Sequence, residues 1–267
     1  MKRTFVNFEG QVCLVTGAGS ATGIGFETAK LLGGLGARIA LTSTTERIYE
    51  REAELKEQGI DAKGYVADLM DRQQVKKLAE DVAADFGKID VLINNAGMVQ
   101  TNKAEEDFSH IADMTYENWD TSIDRNLNIT FNVTKCVLPY MIRGNYGRIV
   151  NVSSVTGPVV SNPGEAAYSA AKAGIVGMSR ALAIEVGVNN ITVNCVLPGW
   201  IGTASQTESE AAGGQNTPMR RSADPSEVAN AIVFLASRES SYITGESLVV
   251  DGGNTIQEYK GPAELYY

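Results

Sequence analysis

Short runs of apolar, β-favouring residues alternate with longer segments of helical period along nearly the whole chain. Gln11 to Thr16, Arg38 to Thr42, Ala62 to Val66, Val91 to Asn94, Gly147 to Val152, Thr192 to Leu197 and Ser247 to Val250 read as strands. These runs are almost entirely apolar, as expected of strands covered on both faces. Between them, Gly25 to Leu35, Glu46 to Gln58, Arg72 to Phe86, Trp119 to Met141, Ala167 to Val186 and Pro225 to Ala236 read as helices, the last introduced by the Asp224-Pro225 pair of a helix start. Such alternation predicts an α/β fold, a doubly wound parallel sheet of about seven strands with helices on both faces. No Pro/Ser-rich linker, repeat or low-complexity stretch interrupts it, so residues 1–267 are expected to form one domain. The rhythm breaks twice, near 98–115 and 202–218, where irregular substrate loops are expected.

Composition narrows the function. Hydrophobic residues make up 43% and charged residues 21%, an ordinary globular balance. The net charge of −9 offers no footprint for nucleic acid or an anionic membrane surface. No run approaches the roughly 18 apolar residues of a membrane span, which points to a cytoplasmic protein. The 3 cysteines, Cys13, Cys136 and Cys195, lie in apolar runs and read as reduced, buried thiols. There is no metal-ligand spacing, and the single histidine, His110, leaves no ordinary Ser-His-Asp hydrolase.

The first strand runs into Thr16-Gly17-Ala18-Gly19-Ser20-Ala21-Thr22-Gly23-Ile24-Gly25 and then into a helix. In that setting Gly17, Gly23 and Gly25 allow backbone N–H groups, with Ser20 and Ile24 beside them, to approach a pyrophosphate at the helix N-terminus. Asp68 and Leu69 follow the third strand, and Asn95, Ala96 and Gly97 close the fourth. These carboxyl ends line the crevice of a doubly wound sheet, where adenine and ribose would be framed. The second strand ends in Ser43-Thr44, with Arg47 one turn on, where a carboxylate would select NAD. Hydroxyls and a guanidinium favour NADP(H) over NAD(H).

Tyr168 and Lys172 are four residues apart on a predicted helix, hence on one face, with Ser154 upstream at the end of the fifth strand. Bringing a tyrosine from pH ~10 to near 7 takes about 4 kcal/mol. One cation at ~4 Å with an effective dielectric of ~20 supplies about that much, so Lys172 is expected to lie under the phenol and acidify it. Ser154 would donate to a substrate oxygen while Tyr168 exchanges the proton. The reading is ketone/alcohol redox on a nicotinamide cofactor.

These residues resemble the short-chain dehydrogenase/reductase family from about Val12 to Gly253. The matches are Thr16-Gly17 with Gly23-Ile24-Gly25, Asn94-Asn95-Ala96-Gly97, Ser154, Tyr168-x-x-x-Lys172, Pro198-Gly199 with Thr203, and Ile243-Thr244-Gly245 before Val250-Asp251-Gly252-Gly253. The resemblance implies a Rossmann-type fold and a catalytic set of Asn126, Ser154, Tyr168 and Lys172, with Asn126 holding a water that links Lys172 to solvent. It also implies cofactor contacts from Tyr168, Lys172, Pro198, Gly199, Ile201 and Thr203, and a homotetramer packed through the helices Trp119 to Met141 and Ala167 to Val186. The chain looks most like the family's 3-oxoacyl reductases and its general carbonyl, steroid and sugar-alcohol enzymes. Met98, Val160 and Trp200 are expected to join Ser154 and Tyr168 around a small carbonyl or alcohol substrate.

Two departures stand out. The family usually has three residues between the first glycine and the Gly-x-Gly pair, whereas Ala18 to Thr22 make five here. Related enoyl reductases carry a Tyr-x6-Lys spacing, which would place lysine where Ile175 stands. A non-catalytic nucleotide-binding regulator, the other class compatible with the cradle, would have no need of the tetrad.

Overall fold

The computed structural model describes residues 6–97, 109–258 and 261. Seven strands, β1 (Val12–Thr16), β2 (Arg38–Ser43), β3 (Ala62–Val66), β4 (Val91–Asn94), β5 (Gly147–Val152), β6 (Ile191–Pro198) and β7 (Ser247–Val250), form one sheet in the order β3-β2-β1-β4-β5-β6-β7. Every pairing is parallel. Parallel neighbours need crossovers, which the helices supply: α1 (Ile24–Gly34), α2 (Arg47–Glu57), α3 (Arg72–Phe86), α4 (Tyr116–Ile123), α5 (Ile129–Gly144), α6 (Ala166–Val186), α7 (Glu208–Gln215) and α8 (Pro225–Ala236).

Alternate residues of one strand point to opposite faces, so β1 feeds two cores at once. Cys13 and Val15 pack with Phe26, Leu32, Leu55 and Val228 beneath α1, α2 and α8. Val12 and Leu14 pack with Leu78, Val133 and Val137 beneath α3 and α5. This is why the central strands are apolar throughout. The edges differ from expectation: β7 leaves Leu248 and Val249 exposed, and β3 exposes Lys63 and Val66. An edge strand lacks a neighbour on one side, so its apolar residues are not all covered.

The long helix expected over Trp119 to Met141 begins earlier, at Tyr116, where the Thr115 side chain accepts from the Asn118 amide. It also widens into a π-helical segment at Asp124–Asn128 before continuing as α5. One extra residue per turn rotates the side chains that follow, and such segments often mark functional sites. The stretch near 202–218 is not irregular throughout, because Glu208–Gln215 forms α7, started by a reciprocal cap between Thr207 and Glu210. Most of the other expected loop, 98–115, lies outside the described residues, as do Met98 and the last tyrosines.

A file of buried side chains ties the sheet to its helices below the crevice. Asn94 Nδ2 donates to Thr134 Oγ1 (2.9 Å) and Asn151 Oδ1 (2.8 Å), and Asn151 Nδ2 donates to Ser179 Oγ (2.8 Å). The Cys195 thiol donates to the same Ser179 oxygen at 3.1 Å. Asn151 is the middle of this file and fully buried. Asn151→Ala would leave one N–H of Asn94 without its acceptor, while Ser179 keeps Cys195 and Ile175 as partners, so it is expected to lower unfolding free energy by about 1–3 kcal/mol in urea titration. An unchanged midpoint would show that the file bears no stability.

Candidate active site

β1 lies between β2 and β4, so the chain leaves it towards one side of the sheet and later returns on the other. The strand ends part there, and a crevice opens above them. Thr16, the last residue of β1, holds the crevice floor. Its hydroxyl donates to Ile93 O (3.2 Å) and accepts from the amides of Asn95 and Ala96 (3.0 Å each). In return Asn95 Nδ2 donates to the carbonyls of Thr16 and Gly17 at 3.1 Å. Thr16 was not among the site residues expected from sequence; its place one step before the glycine turn was the available signal.

This clamp explains the glycines. Gly17 has φ +67°, and a Cβ there would sit 2.7 Å from Ala96 Cα. A Cβ on Gly25 would meet Asn95 Nδ2 at 2.5 Å, and one on Gly19 would meet the Ser43 side chain at 2.8 Å. Gly23 caps α1 with no side-chain hydrogen bond, which leaves the first amides of the helix directed at the crevice. The longer turn, Ser20 to Gly23, closes on itself through the Gly23 amide and Ser20 carbonyl at 3.2 Å and keeps Ala21 and Thr22 exposed. Bare backbone, free helix amides and close-packed strand ends fit a dinucleotide pyrophosphate.

The other expected cofactor residues follow the carboxyl ends of β2, β3 and β6. Ser43 Oγ is engaged with the backbone of Thr45, and Arg47 Nε donates to Thr45 Oγ1 at 3.2 Å. Asp68 is exposed and accepts from the Met70 amide, while Leu69 is buried and its carbonyl accepts from Asn132. Pro198 and Gly199 are held by Val155 and Val250 through backbone bonds of 3.0 Å. Ile201 bridges to Ala223, and Thr203 Oγ1 pairs with Ser205 Oγ at 3.0 Å. Trp200 packs its indole on Gly213 of α7, where a Cβ would lie 2.7 Å from the ring.

Ser154 lies beside Tyr168, near enough for its hydroxyl to lower the phenol's pKa, and its Oγ accepts from the Thr156 amide at 3.0 Å. Lys172 is buried, donates to Val152 O at 3.3 Å and has its Nζ 5.5 Å from the centre of the Tyr168 ring. Asn126 comes from the π-helical segment, donates to Ser122 O at 3.1 Å and reaches Gly97 from the same side as Lys172. A Cβ at Gly97 would be 3.0 Å from Asn126 Oδ1 and 3.3 Å from Lys172 Nζ. Ser153, not among the expected site residues, donates to Lys172 O at 2.8 Å and so fixes the turn that carries the lysine. The four residues of the expected catalytic set therefore converge.

The electrostatics differ from the expectation that Lys172 acidifies the phenol. Burial pushes Tyr168 up to about 12, only partly offset by the nearby Ser154 hydroxyl and reinforced by the carboxylates of Glu165 and Glu210. The ammonium donates to Val152 O, and its own burial pulls Lys172 down to about 8. Among the described residues no set of His, Cys, Asp or Glu could hold a metal ion, and no helix is long and apolar enough to cross a membrane.

With this geometry in view, the relatives are informative. A family model described as Enoyl-(Acyl carrier protein) reductase matches residues 17–255. The chain is 41% identical over 259 residues to the 3-oxoacyl-[acyl-carrier-protein] reductase FabG of Thermotoga maritima, covering 94% of this chain and 100% of that one. The chain belongs to the short-chain dehydrogenase/reductase family. This family of oxidoreductases also includes the FabG of Escherichia coli, 38% identical over 93% of this chain and 98% of its own length. The Oxidoreductase UcpA of Salmonella typhimurium is 38% identical, with coverages of 93% and 96%. Among solved structures, a dehydrogenase/reductase from Sinorhizobium meliloti superposes with a TM-score of 0.84 at 27% identity, covering 93% of this chain and 96% of that one.

Two outcomes are expected for this short-chain dehydrogenase/reductase. Gly17→Ala, strained at φ +67° and pressed on Ala96, should weaken NADPH binding by calorimetry at least ~10-fold; unchanged affinity would remove the turn from the cofactor site. Lys172 titrates below its free value, so the unfolded chain binds more protons between about pH 8 and 10.5 and stability rises with pH across that window. Lys172→Met should therefore gain up to about 3 kcal/mol below pH 8, and the gain should fade toward pH 10.5 in pH-dependent denaturation. A gain independent of pH would contradict the assigned burial cost.

Proposed function

We propose that this chain uses NADP(H) to interconvert a ketone and a secondary alcohol, working as a 3-oxoacyl-type or general carbonyl reductase. The observation that carries the reading is the convergence of Tyr168, the neighbouring Ser154 and the buried Lys172, whose Nζ lies 5.5 Å from the Tyr168 ring centre. A phenol held near 12 stays protonated through the physiological range and can act as an acid toward a carbonyl oxygen. Ser154 would donate to the same oxygen and stabilise the charge that develops on it. The nicotinamide, when bound, supplies or accepts the hydride. Lys172, titrating near 8 beside Asn126, suits the return of a proton to Tyr168 between turnovers.

Ser43, Thr44 and Arg47 support NADP(H), because no carboxylate ends β2 to repel the extra phosphate. The four-residue step to Lys172 supports carbonyl rather than carbon–carbon double-bond reduction, since Ile175, where a Tyr-x6-Lys enzyme has lysine, is buried among apolar side chains. The names of the FabG relatives support a 3-oxoacyl group. Glu165 and Glu210 close to Tyr168, and a net charge of −9, favour a neutral small ketone over an acidic carrier protein. The same carboxylates favour the sugar-alcohol reading as the second choice. Val160 and Trp200 would form the apolar side of the pocket. Exposed Phe131 on α5 and Ile184 on α6 support assembly as a homotetramer.

A panel of carbonyls and alcohols, followed by nicotinamide absorbance with both cofactors, tests the proposal. NADPH should exceed NADH in kcat/KM by at least ~10-fold, and Ser43→Asp should reverse the order. Tyr168→Phe should keep cofactor binding and lose at least ~10²-fold in kcat. Near-normal turnover by that variant would remove Tyr168 from the chemistry.

A further inference from the structure

The segment joining Ser154 to α6 contains a contact that a merely flexible loop would not need. Gly157 has φ +103°, and its α-carbon lies against the backbone of α6. A Cβ there would be 2.3 Å from the Ser169 carbonyl oxygen and 3.0 Å from Ser169 Cα. Ser169 is the residue after Tyr168. Cβ atoms essentially never come closer than 3.0 Å to a neighbour, so any side chain at 157 must open this contact by at least 0.7 Å.

The loop has little slack to absorb that displacement. Its start is fixed by the Val155 amide on Pro198 O (3.0 Å) and by Ser153 Oγ on Lys172 O (2.8 Å). Within it, the Gly157 amide donates to Val160 O (2.6 Å), the Val160 amide to Val155 O (3.0 Å), and the Thr156 amide to Ser154 Oγ (3.0 Å). Its far end returns to α6 through the hydroxyl pair Ser161 and Ser169 at 2.7 Å. One wall carries Ser154 and the other carries Tyr168, and at Gly157 the backbone of one presses on the backbone of the other.

We propose that Gly157 is a positioning residue: its bare α-carbon, seated on the Ser169 carbonyl, sets the spacing between the Ser154 loop and the first turn of α6 and so aligns the two hydroxyls on one substrate oxygen. The spacing is a backbone contact, so it survives side-chain rotation and substrate exchange. A shift of this size in a reacting constellation lowers rate steeply while leaving distant binding contacts alone. The inference rests on the assignment of Ser154 and Tyr168 as the reacting pair, but its geometric part does not.

Gly157→Ala tests it with two independent readouts. In its crystal structure the Tyr168 and Ser154 hydroxyls should stand farther apart than in the crystal structure of the parent chain; an unchanged separation would overturn the proposal whatever the enzyme's substrate. In solution, with ethyl acetoacetate and NADPH, kcat should fall about 10- to 100-fold while NADPH affinity stays within about twofold. With ethyl 3-hydroxybutyrate and NADP, the rising limb of the pH profile should move to higher pH, because Tyr168 has lost the partner that lowers it. A purely structural glycine would lower thermal stability without moving that limb. Should Gly157→Ala not fold, Ser161→Ala with Ser169→Ala releases the far end of the loop and should shift the limb the same way; an unmoved limb there would also overturn the proposal. Tyr168→Phe and Ser154→Ala run alongside: full activity in both would refute the proposed reacting pair and leave the crystallographic comparison to decide on Gly157.

Discussion

The hydroxyl of Thr16 is the point on which the rest of the crevice depends. One oxygen joins the ends of β1 and β4 by donating to Ile93 O and accepting two amides, and Asn95 closes the same joint from the other side. Parallel strands diverge where their order reverses, so an unaided crevice floor would be loose. The joint brings the glycine turn within contact of Asn95 and Ala96. That closeness is what forbids side chains at Gly17 and Gly25, and it leaves the amides of α1 free to meet an anion.

Above that floor, burial decides the character of the chemical groups. An ammonium at 5.5 Å from the ring centre that already donates to a carbonyl does little to acidify the phenol, whereas desolvation raises it strongly. The result is a tyrosine suited to giving a proton and a lysine ready to titrate near neutrality. The four-residue spacing predicts the cation under the phenol. Spacing along a helix fixes the face a side chain shares, not which acceptor the charge finds there.

Much of the architecture was legible because the sheet is buried: β3, β4, β5 and β7 and helices α3 and α8 begin and end where their patterns do. The limits of that reading are equally physical. Residues of the π-helical segment carry no periodic mark, since one added residue per turn leaves composition untouched. α7 contains Gly213 and Gly214, which weaken helical propensity, so its start was visible only in the reciprocal cap of Thr207 and Glu210. Ser154, Tyr168, Lys172 and Asn126 converge as family resemblance implied, while Thr16, Ser153 and Gly157 act through backbone contacts that a one-dimensional pattern does not display.

Catalysis as proposed requires one crevice to hold a dinucleotide with its reactive ring beside the Tyr168 hydroxyl. A crystal structure of the chain soaked with NADPH measures this most directly. The pyrophosphate should lie over the amides of Gly17 to Gly25 and the nicotinamide between Gly97 and Tyr168. A dinucleotide bound elsewhere, or a nicotinamide directed away from Tyr168, would contradict it.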